Sequence, residues 1–170
     1  NTVSGNFFSI TGAQSLPTLD FDGSGILDGD DLDSLVTQIG AGTNAPSFDL
    51  DGDGLVTLQD LDAWLEGAGA VNLPSGNPYL HGDANLDGNV DGRDFLAWND
   101  SKFTQANGWT VGDFNADGFV NGQDFIVWNA NKFQSSGAQQ VPEPGSPFTV
   151  CMATMAVGLV SCARRRKGQF

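Results

Sequence analysis

Asp113, Asn115, Asp117, Asn121 and Asp124 set carboxylate and amide oxygens at positions 1, 3, 5, 9 and 12 of a twelve-residue stretch, with Gly118 at position 6. Position 7 is Phe119, which suffices because the donor there is a backbone carbonyl that any residue supplies. Oxygen donors on every second residue of a tightly curled backbone converge on one point, and an all-oxygen set of this kind suits a hard divalent cation, calcium above all. The pattern occurs three more times. Asp83, Asn85, Asp87, the Asn89 carbonyl, Asp91 and Asp94 surround Gly88. Asp49, Asp51, Asp53, the Leu55 carbonyl, Thr57 and Asp60 surround Gly54, and Asp20, Asp22, Ser24, the Ile26 carbonyl, Asp28 and Asp31 surround Gly25. The loops begin at residues 20, 49, 83 and 113, so they recur at intervals of 29, 34 and 30 residues. Asp, Asn and Gly are also ordinary turn formers, and a single such loop would be a weak signal. Four, with Gly at one place and Asp at both ends, predict up to four Ca2+ sites.

The charge distribution agrees. The chain has 170 residues, 23 of them Gly, and a formal net charge of -14, values that suggest disorder or an acidic tail when the charges lie in blocks. Here fifteen of the 21 acidic residues are Asp at the ligand positions. Four calcium ions would bring eight positive charges and relieve most of the self-repulsion of a chain at -14. Folding coupled to metal binding is the expectation.

Short helices must follow the loops to position them. The apolar spacing behind each loop is helical: Leu32, Leu35, Val36 and Ile39, stopping at Gly40; Leu61, Trp64 and Leu65, stopping at Gly67. The third stripe is Phe95, Leu96, Trp98 and Phe103, and the fourth Phe125, Ile126, Trp128 and Phe133. Loop position 8 carries Leu27, Val56, Val90 and Val120, which are expected to face their counterparts through a short strand bridge. The longest interval holds a connector rich in Pro and Gly, so loop one should pair with loop two, and loop three with loop four.

The stretches ahead of the loops are TGAQSLPTL, AGTNAPSF, NLPSGNPYLHG and TQANGWTVG, whose Pro, Gly and Asn argue against the helix that precedes an ordinary EF-hand loop. Each unit is therefore read as a loop plus one exiting helix. Residues 82–103, GDANLDGNVDGRDFLAWNDSKF, and 112–133, GDFNADGFVNGQDFIVWNANKF, resemble the type I dockerin family, whose duplicated unit is a calcium loop ending in Asp and followed by one helix. FDGSGILDGDDLDSL and DLDGDGLVTLQDLDAWL resemble it more weakly, and the likeness spans roughly residues 18–134. The fold class so implied is mainly α: two tandem dockerin-like pairs of loop plus single exiting helix, followed by a C-terminal hydrophobic helix.

The resemblance implies a secreted or cell-surface module, borne by polysaccharide-degrading or adhesion proteins, that binds a cohesin partner through its helices and loop positions 10 and 11. Those positions are Gly29 and Asp30, Leu58 and Gln59, Gly92 and Arg93, and Gly122 and Gln123. They depart from the family's hydroxyl residues, and two tandem pairs stand where one is usual. Trp98 and Trp128, with Phe103 and Phe133, are either partner anchors or packing between helices.

Val141, Pro142, Glu143 and Pro144 precede an apolar run over residues 148–163 and then Arg164, Arg165, Arg166 and Lys167. This resembles the PEP-CTERM sorting signal of bacterial exosortase systems, which implies an extracellular module anchored at first through this tail and later processed. The run of 16 residues is about 24 Å long as a helix, somewhat short of the roughly 20 residues that span a bilayer comfortably. Four of the seven basic residues close it, which would hold that end in the cytoplasm. Cys151 and Cys162 lie in this run and form no disulfide framework for the acidic part.

The expected organisation is a linker or the end of an upstream domain over 1–17, a first pair over 18–70, a linker over 71–80, a second pair over 81–135, a linker with the VPEP motif over 136–147, and a hydrophobic segment with basic tail over 148–167. Asn1 is no initiator Met and no signal segment precedes the first loop, so either a signal has been removed or an upstream region belongs to the protein. Catalysis is not expected: His81 is a lone surface-loop histidine, and the clustered carboxylates already hold ligand positions. So acidic a chain is not expected to bind nucleic acid. Two functions remain, a docking module and a calcium-stiffened spacer.

Overall fold

The computed structural model describes residues 19–137, and they are mainly helical. Four helices carry the fold: α1 (Gly29–Ala41), α2 (Leu58–Asn72), α3 (Gly92–Ser101) and α4 (Gly122–Asn131). Each starts where a loop ends, because the same residues do both jobs. The position-9 residues Asp28, Thr57, Asp91 and Asn121 are the N-caps, and the position-12 residues Asp31, Asp60, Asp94 and Asp124 complete a capping box at N3 in every case. Such a cap stabilises a helix by about 1 kcal/mol. No helix leads into the second, third or fourth loop, as the Pro, Gly and Asn content predicts.

Helix α1 packs on α2, and α3 on α4, so the expected pairing holds. The first pair buries Leu32, Leu35, Val36, Leu61, Trp64 and Leu65. In the second pair Phe95, Trp98, Phe125 and Trp128 form a four-ring cluster with centroids 5.1–6.5 Å apart, a spacing at which aromatic pairs stabilise beyond their buried area. Phe103 and Phe133 depart from the expected stripe. They lie beyond the helix ends with φ of 63° and 66° and are 78% and 82% exposed.

Two other expectations need correction. Helix α2 does not stop at Gly67 but runs on to Asn72. Its glycines mark close approach, not termination: a Cβ on Gly67 would lie 2.6 Å from Leu19 Cδ1, and one on Gly69 would lie 2.4 Å from the Asn77 carbonyl oxygen. Residues 71–80 are correspondingly no free linker. The Tyr79 amide donates to the Leu65 carbonyl (3.1 Å), Tyr79 is buried, and the described residues fall within one contact unit.

The position-8 residues do not bridge one another either. Each is held by the end of its neighbour's helix or by the chain that follows it. Strand β1 (Thr104–Gln105), just after α3, pairs antiparallel with β2 (Phe119–Val120), in the register Thr104 to Val120. The segment after α4 answers it at the third loop, where Val90 N–H donates to the Gln134 carbonyl (3.0 Å) and Phe133 N–H to the Val90 carbonyl (2.7 Å). In the first pair asparagine side chains replace the ladder: Asn72 Nδ2 donates to the Leu27 carbonyl (2.7 Å), and the Val56 amide donates to Asn44 Oδ1 (3.0 Å).

Candidate metal centres

In each loop the position-12 aspartate is fully buried and serves as a hub for backbone amides. Asp94 Oδ1 accepts from the amides of Ala84 (2.9 Å) and Asn85 (3.3 Å), and Oδ2 from that of Asp91 (2.7 Å). Asp124 repeats this with Phe114, Asn115 and Asn121, Asp60 with Leu50, Asp51 and Thr57, and Asp31 with Phe21, Asp22 and Asp28. The short Asp side chain thus draws positions 2, 3 and 9 together around itself.

Position 1 closes the turn. Its second carboxylate oxygen accepts from the position-6 glycine amide, at 2.9 Å for Asp20 and Gly25, 2.9 Å for Asp49 and Gly54, 2.8 Å for Asp83 and Gly88, and 3.0 Å for Asp113 and Gly118. The position-5 side chains Ser24, Asp53, Asp87 and Asp117 accept from the amide of position 7. Carboxylate oxygens of Asp20, Asp22 and Asp31 lie within 4.8 Å of one another, as do those of Asp49, Asp51 and Asp60, and each trio could hold a metal ion. The third and fourth loops put amides, Asn85 and Asn115, at position 3, each donating to the position-5 aspartate. Oxygen-only donors around a curled loop fit a hard cation.

The loops differ in one respect the ligand pattern does not reveal. Position 4 takes a positive φ everywhere. It is Gly23 (76°) and Gly52 (79°) in the first pair, but Leu86 (54°) and Ala116 (56°) in the second. A side chain there costs roughly 1–2 kcal/mol. The second-pair loops also sit deeper at positions 1 and 6: Asp83, Asp113, Gly88 and Gly118 lie inside, whereas Gly25 and Gly54 are exposed.

Burial, with Asp94 and Asp87 nearby, pushes the Asp83 carboxyl up to about 7, and burial near Asp124 and Asp117 pushes Asp113 up to about 6. Asp94 and Asp124 are raised as well, again chiefly by burial. Raised carboxylates stabilise a fold that is protonated: their contribution is complete below the unfolded value of 3.8 and is lost as pH rises through about 6 and about 7. Metal-stripped protein should therefore melt at a higher temperature at pH 5 than at pH 7.5. A divalent cation competes with those protons, so saturating calcium should reverse the order. Melting curves at both pH values, with chelator and with calcium, check this; equal melting temperatures throughout would contradict the burial of Asp83 and Asp113.

The residues proposed from sequence for partner binding fall into two groups. Gly92, Arg93, Gly122 and Gln123 are exposed at the starts of α3 and α4, but Arg93 Nη1 turns back to Asp87 Oδ2 (3.2 Å) and Gln123 Oε1 accepts from Asn115 Nδ2 (3.1 Å). Trp98 and Trp128 are packed between the helices, and each reaches the partner loop: Trp98 Nε1 donates to the Asn121 carbonyl (2.7 Å) and Trp128 Nε1 to that of Asp91 (3.0 Å). The exposed apolar side chains of this pair are Leu96, Ile126, Phe103, Phe133 and Phe119. Val141, Pro142, Glu143, Pro144, Arg164, Arg165 and Arg166 and the apolar run lie outside the described residues. Among the described residues no helix is long and apolar enough to cross a membrane.

Three supports escaped sequence reasoning. Trp109, wholly buried, donates from Nε1 to the Asp83 carbonyl (2.6 Å) and stands edge-on to Phe114. Asp33 accepts from both the amide (2.9 Å) and the hydroxyl (2.5 Å) of Thr110. His81 Nε2 meets Asp62 Oδ1 at 2.7 Å. Only the placement of Trp109 in a non-helical lead hinted at a role. Comparisons with known protein families, with curated proteins and with solved structures found no match.

Proposed function

We propose that residues 18–135 are a calcium-binding, dockerin-like interaction module with up to four Ca2+ sites, which attaches an upstream secreted domain to a cohesin-like partner at the cell surface. The observation that carries this is the fourfold recurrence of one loop construction, in which a buried position-12 aspartate gathers three backbone amides and a position-1 carboxylate closes on the position-6 glycine. Bound ions would be held by the side-chain oxygens at positions 1, 3, 5, 9 and 12 and the position-7 carbonyls of Ile26, Leu55, Asn89 and Phe119. The role of calcium here is structural, and the module itself is not an enzyme. Exposed Leu96, Ile126, Phe103 and Phe133, with Lys102 and Lys132 alongside, support docking as the use of the second pair. The tail with Val141–Pro144 and Arg164–Arg166 acts as a sorting and anchoring signal for an exosortase-type machinery, on the resemblance of those residues alone.

A spacer without a protein partner is the second reading. It is favoured by the absence of hydroxyl side chains at Gly92, Arg93, Gly122 and Gln123. Calorimetric titration of metal-stripped protein with calcium, with circular dichroism in parallel, tests the common ground. The expected result is up to four equivalents bound with a gain of helix; no heat and no change in helix would sink the calcium reading. Calcium-dependent capture of one cell-envelope receptor, abolished by chelator, would then decide for docking over the spacer.

A further inference from the structure

We propose that the first two repeats brace the turns of the last two, so that loading loops one and two with a divalent cation raises the affinity of loops three and four. The proposal rests on the calcium reading above. Loops three and four hold Leu86 and Ala116 at a left-handed position 4, where loops one and two place glycine. A side chain in that region persists only where its surroundings hold it.

The surroundings are supplied by the first half. Gly40, near the end of α1, lies against the turn of loop four: a Cβ there would sit 3.2 Å from the Ala116 carbonyl oxygen and 3.7 Å from Gly118 N. Leu73, just past the end of α2, covers the turn of loop three, its Cδ2 3.0 Å from where a Cβ on Gly88 would be. These are the glycines whose amides orient the position-1 carboxylates Asp83 and Asp113. Thr110, on the lead into loop four, is tied in addition to Asp33 of α1.

Helices α1 and α2 connect the two sets of loops. Each begins on a hub aspartate of its own loop, Asp31 or Asp60, and brings its other end to a turn of the second half. A cation that orders loop one or two fixes the start of a rigid helix and, through it, the brace. Linkage makes the effect mutual, so loading of loops three and four must also favour loading of loops one and two.

The test is a Ca2+ titration of the whole chain followed by NMR at the amides of Gly25, Gly54, Gly88 and Gly118, one reporter per loop. Gly40→Ala adds a methyl group that the Ala116 carbonyl must give way to, yet it improves the helix propensity of α1. A loss at loop four therefore cannot come from a weaker helix. The expected result is roughly tenfold weaker binding reported at Gly118 in Gly40→Ala and at Gly88 in Leu73→Ala, with Gly25 and Gly54 weakened in turn by the reciprocal effect of the lost coupling. Asp22→Ala, which removes an exposed ligand of loop one, should weaken loops three and four as well. Unchanged titration of Gly88 and Gly118 in all three variants would overturn the coupling while leaving the calcium reading intact. No titration at any glycine of the unmodified chain would overturn both.

Discussion

Asp94→Ala should cost the second pair on the order of 5 kcal/mol, and it should do so with or without metal. The carboxylate is fully buried and accepts the amides of Ala84, Asn85 and Asp91. Alanine leaves three donors without an acceptor, the Ala84 amide buried and those of Asn85 and Asp91 partly so, and a bond unmade in the interior costs about 1–3 kcal/mol. A small protein has only about 5–15 kcal/mol of stability to lose. Asp87→Ala is the contrast, because Asp87 is exposed at position 5 and bonds only within its own loop and to exposed Arg93 at the start of α3. Its cost should appear in calcium and nearly vanish in chelator. Urea unfolding of both variants in both conditions separates the roles. If the two behave alike in chelator, the hub at position 12 is only a metal ligand.

Gly112→Ala is expected to be comparably severe for a different reason. Gly112 has φ of 98°, a conformation that an alanine resists, and a Cβ there would lie 2.6 Å from Trp98 Cα and 3.0 Å from Trp98 N. Those are backbone atoms of α3 and cannot rotate away. A loss on the order of 3 kcal/mol or more follows from strain and overpacking together. Gly92→Ala, at a site where an added Cβ meets nothing within 4 Å, should be neutral or slightly stabilising. Equal unfolding midpoints for the two variants would refute the seating of loop four on α3.

How much of this was legible in the chain depended on whether a residue's work is local. The loop turns and the helix starts were readable because one set of oxygens serves both, with the position-9 and position-12 residues closing the loop and capping the helix at once. The end of α2 was not. Gly67 read as a stop signal, but it and Gly69 are gaps left for Leu19 and for residues 77–79, which come from elsewhere in the chain. Likewise, an apolar residue at position 8 announces that it will be paired without saying by what. Val90 and Val120 are paired by segments that trail the neighbouring helix, an arrangement set by the antiparallel seating of two helices and invisible in either repeat alone. The Asp33 to Thr110 contact spans 77 residues and carries no pattern at all.

Ser136 gives the fold a mechanical property. Its amide holds the Gly88 carbonyl, its hydroxyl the Pro78 carbonyl, and its own carbonyl receives Asn77 Nδ2. Tension arriving from the C-terminal side would therefore fall first on the turn of loop three, through Ser136 and the Val90 to Gln134 bond, before it reached any helix. A cation in that loop would stiffen the very point where the load enters, so the pulling force needed to peel residues 133–136 away would rise with calcium.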